Sequence, residues 1–238
     1  MIARLLAAFA LVWLFAGACF AQTQRTDLNL VIAMDCSWSV DDAEFALQLG
    51  GVSAALSDPK VIASIKGNLR GRIAITIIHW STSGIQKVAL PWTVISGESD
   101  AVAVARATAA LRRQTRHGGT SIAGALRFGQ NLLLTAPFPA DRYIIDVIAD
   151  GENNNGDRIE RVRDEIVAQG TTINALGIIN VVGYLHHYLR NRVIGGSGAF
   201  VEKALDYQDF RRAFRKKLLR EIRGEQITGL PVRRAAFR

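Results

Sequence analysis

Five side chains carry the chemistry this sequence offers most plainly. Asp35, Ser37 and Ser39 stand at alternate positions of Asp35-Cys36-Ser37-Trp38-Ser39. One carboxylate and two hydroxyls at that spacing are hard oxygen donors, which suit Mg²⁺, Mn²⁺ or Ca²⁺ and hold soft metals poorly. Thr120, in Gly118-Gly119-Thr120-Ser121, offers a third hydroxyl, and Asp150, in Asp150-Gly151, a second carboxylate. Each has an ordinary reading too. Asp35 and Thr120 serve as helix caps, Ser37 and Ser39 as loop hydroxyls, and Asp150-Gly151 as a turn. Those readings suffice one at a time; all five together point to one cation. Neutral hydroxyls with few direct carboxylates would leave that cation residual positive charge, open to an anionic oxygen from outside.

The elements around these residues must hold them together. Leu28 to Met34 is an apolar run of strand length, and Asp42 to Ser57 follows with Phe45, Leu49, Val52 and Leu56 at helical spacing. Further strands are expected at Arg72–Trp80, Tyr143–Ala149, Thr171–Ile179 and Gly198–Ala204. Gln86–Leu90 is expected to pair antiparallel at an edge, with Pro91 stopping it. Helices are expected at 100–113 (with Ser99 or Asp100 as N-cap), 121–134, 157–169 and 206–223. Tyr143–Ala149 is nearly all apolar, as a strand covered on both faces must be. The alternation predicts an α/β fold: a doubly wound, mostly parallel central sheet with one antiparallel edge strand and helices on both faces. Ligands in such folds bind beyond the carboxyl ends of strands. Asp35 and Asp150 both stand there.

With those three stretches in view, the chain resembles the von Willebrand factor A-like (integrin I-like) family over about residues 27–223. That family's metal-ion-dependent adhesion site is D-x-S-x-S, a distant Thr and a distant Asp. The matching positions are Asp35, Ser37, Ser39, Thr120 and Asp150. Asp146-Val147-Ile148-Ala149-Asp150-Gly151, Asn153-Asn154-Asn155 and Val193-Ile194-Gly195-Gly196 bring it nearest an exported bacterial branch with no assigned activity. The resemblance implies a protein-binding module. Its ion, Mg²⁺ first and Mn²⁺ or Ca²⁺ next, would accept an acidic side chain of a partner protein. It also implies that the hydroxyls bind directly and the aspartates partly through water. Asp146, on the same strand face as Asp150, is a lesser candidate for tuning the site, or a satisfied buried polar residue.

The ends and the composition narrow the setting. Arg4, the apolar run Leu5–Ala16 and Ala18-Cys19-Phe20-Ala21 have the layout of a signal peptide cleaved after Ala21 (residues 1–21). That predicts a periplasmic or secreted protein; a lipoprotein anchored at Cys19 is the weaker reading, because Ala16 stands where a Leu is usual. Cleavage leaves Cys36 alone, so no internal disulfide is expected, and Cys36 reads as a small buried filler. Residues 224–238 show no periodicity and are expected to be a frayed basic tail. Lys and Arg number 29 against 21 Asp and Glu, a net charge of +8. Export makes nucleic acid an unsuitable partner for that charge. Arg211, Arg212, Arg215, Lys216, Lys217, Arg220 and Arg223 crowd the last helix against Glu221 alone. They read as a solvated face, or as a weak attraction to anionic envelope surfaces. Tyr184, His186, His187 and Tyr188 read as a surface helix, since a two-His zinc site lacks its further ligands.

Enzyme classes lack their signatures. Ser37 stands where a haloacid-dehalogenase-like phosphatase needs its second Asp. No G-x-S-x-G elbow, G-x-G-x-x-G or P-loop is present, so no nucleotide is expected. His117 beside Gly118-Gly119 is one residue that could act as a base near the site. The reading is therefore a non-enzymatic binding module. A weak metal-dependent hydrolase and a structural domain with a vestigial site stay open beside it.

Overall fold

The computed structural model describes residues 25–115 and 118–224. Its strands are β1 (Leu28–Asp35), β2 (Ile73–Trp80), β3 (Gln86–Ile95), β4 (Tyr143–Ala149), β5 (Thr172–Ile178) and β6 (Val201–Ala204). They form one sheet in the order β3-β2-β1-β4-β5-β6, parallel throughout except for the antiparallel β2–β3 pair. The helices are α1 (Asp42–Leu56), α2 (Pro59–Lys66), α3 (Glu98–Ala109), α4 (Ile122–Leu134), α5 (Ile159–Val167), α6 (Leu185–Tyr188) and α7 (Phe210–Arg223). A π-helical turn, Leu189–Val193, extends α6. Among the described residues no helix is long and apolar enough to cross a membrane.

Alternation along β1 assigns the two cores. Leu28, Leu30, Ile32 and Met34 face α1, α2, α3 and α7; Val31 and Ala33 face α4, α5 and α6. Both faces are covered, which is why β1, β2 and β4 read as continuous apolar runs. α1 starts sharply because Asp41 and Glu44 form a reciprocal capping box. Its Gly51 lets α7 come close: a Cβ there would sit 2.5 Å from the Phe210 ring.

The doubly wound sheet and its antiparallel edge are as expected, while several boundaries differ. β3 runs through Pro91 to Ile95 instead of stopping. It is an edge strand, and its register with β2 shifts between Ile75 and Ile77, so Pro91 costs the ladder little. α3 begins at Glu98 and ends at Ala109, with Gly97 as N-cap. Asp100 instead accepts from the amide and hydroxyl of Ser96, at 2.9 and 2.7 Å. α2 has no counterpart in the sequence reading, although Asp58-Pro59 is a regular start, with Asp58 capping the Lys60 amide at 2.8 Å.

The basic face of α7 is mostly occupied within the molecule. Arg215 pairs with Asp58, Lys216 with Glu202, and Arg212 with Asp209. Arg220 lies over the Phe200 ring, and Lys217 is fully buried. Attraction to anionic surfaces thus loses most of the charges that suggested it.

Candidate functional site

From β1 the sheet builds outward to β2 and β3, and from β4 to β5 and β6. The chain leaves those two strands toward opposite faces, so a crevice opens at their carboxyl ends. Asp35 ends β1 on one side of it, and Asp150 follows β4 on the other.

Asp35 is buried, and its Oδ1 accepts from the Ser37 amide at 2.7 Å. Its Oδ2 is buried with no hydrogen-bond partner. Burial, and then the charge of Asp150, push this carboxyl up to about 8. The Ser37 and Ser39 hydroxyls lie 3.2 Å apart. Ser39 Oγ donates to Asp150 Oδ1 at 2.6 Å. Asp150 Oδ2 accepts from the buried Tyr207 hydroxyl at 2.9 Å. Burial and the neighbouring Asp150 charge hold that phenol above its ordinary range.

Thr120 stands just before Ser121, the N-cap of α4, whose Oγ accepts from the Gly124 amide. A Cβ at Gly151 would lie 3.7 Å from Thr120 Oγ1, so this hydroxyl faces the turn after Asp150. The three asparagines that follow fasten the loop. Asn154 Oδ1 accepts from the Thr120 amide at 2.8 Å, and the Asn154 amide donates to the Thr120 carbonyl at 2.9 Å. Asn153 Oδ1 accepts from the Ala123 amide, and Asn155 Oδ1 from the Thr82 hydroxyl and Ser83 amide. Gly119 is needed for this approach, because a Cβ there would lie 2.6 Å from Asn154 Oδ1. The Trp38 amide, donating to the Gly118 carbonyl at 3.3 Å, ties the first loop to the same segment.

The five sequence positions are thus brought together beyond the carboxyl ends of β1 and β4. Tyr207 and Asn154 belong with them and were not foreseen in that role. The asparagine run directly after Asp150-Gly151 was the available signal for Asn154; nothing local marks Tyr207. Asp146 is placed elsewhere, with Lys217 Nζ 2.6 Å from its Oδ1, so it is a charge-paired core residue. Cys36 is fully buried, and burial pushes its thiol up to about 12. His117, the residue that could have acted as a base, and the signal segment and the tail from 225 lie outside the described residues. His79 is a buried ring set edge-to-face against Phe45, its pKa lowered to about 4 by burial and by Arg113.

Residues 25–226 match the model of a family described as a protein of unknown function (DUF1194). This chain belongs to that family. No curated protein matches it. Among solved structures, proximal thread matrix protein 1 from the mussel byssus, with a zinc-occupied MIDAS motif, is 14% identical with a TM-score of 0.63. The match covers 84% of this chain and 48% of that one, so this chain spans about half its length. The PilB minor pilin from Streptococcus sanguinis is 17% identical, with a TM-score of 0.59, over 88% of this chain and 64% of that one. The vWF domain of the type V pili tip protein Mfa5 from Porphyromonas gingivalis is 11% identical, with a TM-score of 0.57. That match covers 87% of this chain and 98% of that one. At these identities the likeness establishes the fold, and the DUF1194 chain has the von Willebrand factor A-like one.

Proposed function

We propose that this chain is an exported, adhesion-type module whose divalent ion accepts an acidic residue of a protein partner. The observation that carries the reading is the buried, unpartnered Oδ2 of Asp35, facing a second carboxylate. A buried carboxylate oxygen without a partner is costly, and a cation offsets both the lost hydration and the repulsion. Among the described residues no three His, Cys, Asp or Glu side chains group as a metal site. The hydroxyls of Ser37, Ser39 and Thr120 would serve as ligands beside the two carboxylates. Two carboxylates with three hydroxyls fit Mg²⁺, and Mn²⁺ or Ca²⁺ after it. When bound, the ion supplies an electrophilic position for an outside carboxylate. Asp35 and Asp150 supply compensating charge, with Asp150 held by Ser39 and Tyr207.

Trp38 adds an apolar anchor at the rim, 72% exposed between two candidate ligands; large exposed rings beside a polar centre are common binding anchors. The pilin and pilus-tip structures of the same fold support a protein as the partner. The zinc in the mussel protein's motif supports a divalent site. Export rests on the signal-like segment of residues 1–21.

The test is a pull-down of envelope proteins on the immobilised chain in Mg²⁺, in EDTA, and with Thr120→Ala. Partners are expected in the first condition and absent from the other two. The same partners in all three would remove the metal from recognition. Phosphoester turnover that depends on Asp35 would favour the hydrolase instead. Tyr207→Phe leaves Asp150 Oδ2 without its buried donor. It is expected to weaken Mn²⁺ binding, followed by calorimetry, by roughly ten- to a hundredfold. An unchanged isotherm would make Tyr207 a packing residue only.

A further inference from the structure

The buried stripe of α7 is Phe210, Ala213, Phe214, Lys217, Leu218, Glu221 and Ile222. Two charged residues therefore stand on an otherwise apolar face, one turn apart. Lys217 Nζ lies 2.6 Å from Asp146 Oδ1 of β4 and donates to Glu221 Oε1. Lys217 and Asp146 have no exposed side-chain surface, and Glu221 is 2% exposed. Asn174 of β5 steadies the group, its Nδ2 donating to Glu221 Oε1 at 2.8 Å while its Oδ1 accepts from the Phe200 amide. The Phe200 ring walls the other side, 5.3 Å from Nζ.

As an ion pair this arrangement is poor. Two carboxylates share one ammonium, which leaves a net negative charge in the core. The Nζ–Asp146 contact is at ion-pair distance, yet neither Asp146 oxygen has an aligned hydrogen bond. Desolvation of such groups is seldom repaid by attraction alone. As a reacting group the arrangement is well formed: an amine against a carboxyl group, with a second carboxylate on the amine, in a buried site.

We propose that Lys217 and Asp146 condense into an intramolecular isopeptide bond, with Glu221 carrying the proton. A proton moves from Nζ to the Asp146 carboxylate across the 2.6 Å contact, giving an amine and a neutral acid without changing the cluster's charge. Burial, then the charge of Glu221, push the Asp146 carboxyl up to about 7, which favours the acid form. Nζ attacks Cγ, and Glu221 takes the proton that Nζ sheds. The Cγ–OH bond then breaks, the hydroxyl leaving with the proton from Glu221. The products are an amide, one water and the regenerated Glu221 carboxylate; no oxidant or cofactor is needed. The bond staples the last helix to a central strand and replaces the ion pair by a neutral group. It closes the segment from 146 to 217, a long loop of the kind whose cross-linking most constrains the unfolded chain. Nothing in this proposal depends on the metal reading.

Denaturing intact-mass measurement of the purified full chain tests it. The parent is expected to be lighter than its sequence mass by one water. Tryptic digestion is expected to release Tyr143–Arg158 joined to Lys217-Leu218-Leu219-Arg220, since acylated Lys217 resists cleavage. Asp150-Gly151 can also lose water by closing to a succinimide, so the joined peptide, rather than the mass alone, decides. Glu221→Gln keeps the shape without the proton carrier, and Lys217→Met lacks the amine; both are expected at full sequence mass. A parent at full mass, or a water loss mapped only to Asp150-Gly151, would overturn the proposal without recourse to any variant. Cross-linking of Glu221→Gln to the parent's extent would remove Glu221 from the reaction.

Discussion

Asp35→Asn is expected to abolish the response to divalent ions while leaving the metal-free chain at least as stable as the parent. The two effects have one cause. In the parent, Asp35 Oδ2 is buried without a partner and repelled by Asp150. That arrangement costs stability in the absence of a cation and supplies affinity in its presence. Asparagine keeps the Oδ1 acceptor for the Ser37 amide, so the loop after β1 retains its 2.7 Å bond. It removes the repelling charge and turns the orphaned oxygen into a donor facing the Asp150 side. An ion at a hundredfold excess over its dissociation constant stabilises a fold by about 2.7 kcal/mol. Thermal melts with and without Mg²⁺, against an EDTA baseline, are expected to show that gain in the parent and none in the variant. A variant that keeps the Mg²⁺ shift, or whose EDTA melt falls well below the parent's, would show Asp35 to be a structural carboxylate.

How much of this could be read in the sequence depended on how local the cause was. β1 and the Asp35-Cys36-Ser37-Trp38-Ser39 loop were legible because strand, loop and helix lie within one short stretch. β4 and Asp150 were legible for the same reason. Their joint placement across the β1–β4 crevice was implied by the resemblance to the von Willebrand factor A-like family, and the alternation added only that both stand at carboxyl ends of strands. Tyr207 was not legible, since its contact with Asp150 exists only once β6 has added to the far edge of the sheet. Lys217 was misread for a different reason. It stood in a run of cations, and composition outweighed position. Yet Phe210, Phe214, Lys217 and Glu221 recur at helical spacing, so periodicity places both charges on the buried stripe. Pro91 was over-weighted: a missing amide ends a central strand, whereas an edge strand with a bulge tolerates it.

Asn154→Ala is expected to weaken ion binding about as much as the loss of a ligand, although Asn154 offers nothing to the ion itself. Thr120 belongs to a loop without regular structure, between Gly118-Gly119 and the cap of α4. Asn154 holds both sides of its backbone, accepting from the amide through Oδ1 and donating to the carbonyl through its own amide. Alanine keeps the second bond and loses the first. An amide left unpaired in a part-buried place costs about 1–3 kcal/mol, and the loop relieves that cost by moving toward water, taking the Thr120 hydroxyl with it. Second partners of this kind typically change metal affinity by about ten- to a hundredfold. Asn154→Asp is the informative companion, because it keeps the acceptor for the Thr120 amide. Mn²⁺ titration is expected to rank the parent and Asn154→Asp together and Asn154→Ala well below, with the melting temperature in EDTA little changed. If the alanine variant binds Mn²⁺ as tightly as the parent, Thr120 is held by other contacts and the asparagine run only closes the surface. If its EDTA melt collapses instead, Asn154 supports the fold rather than the site.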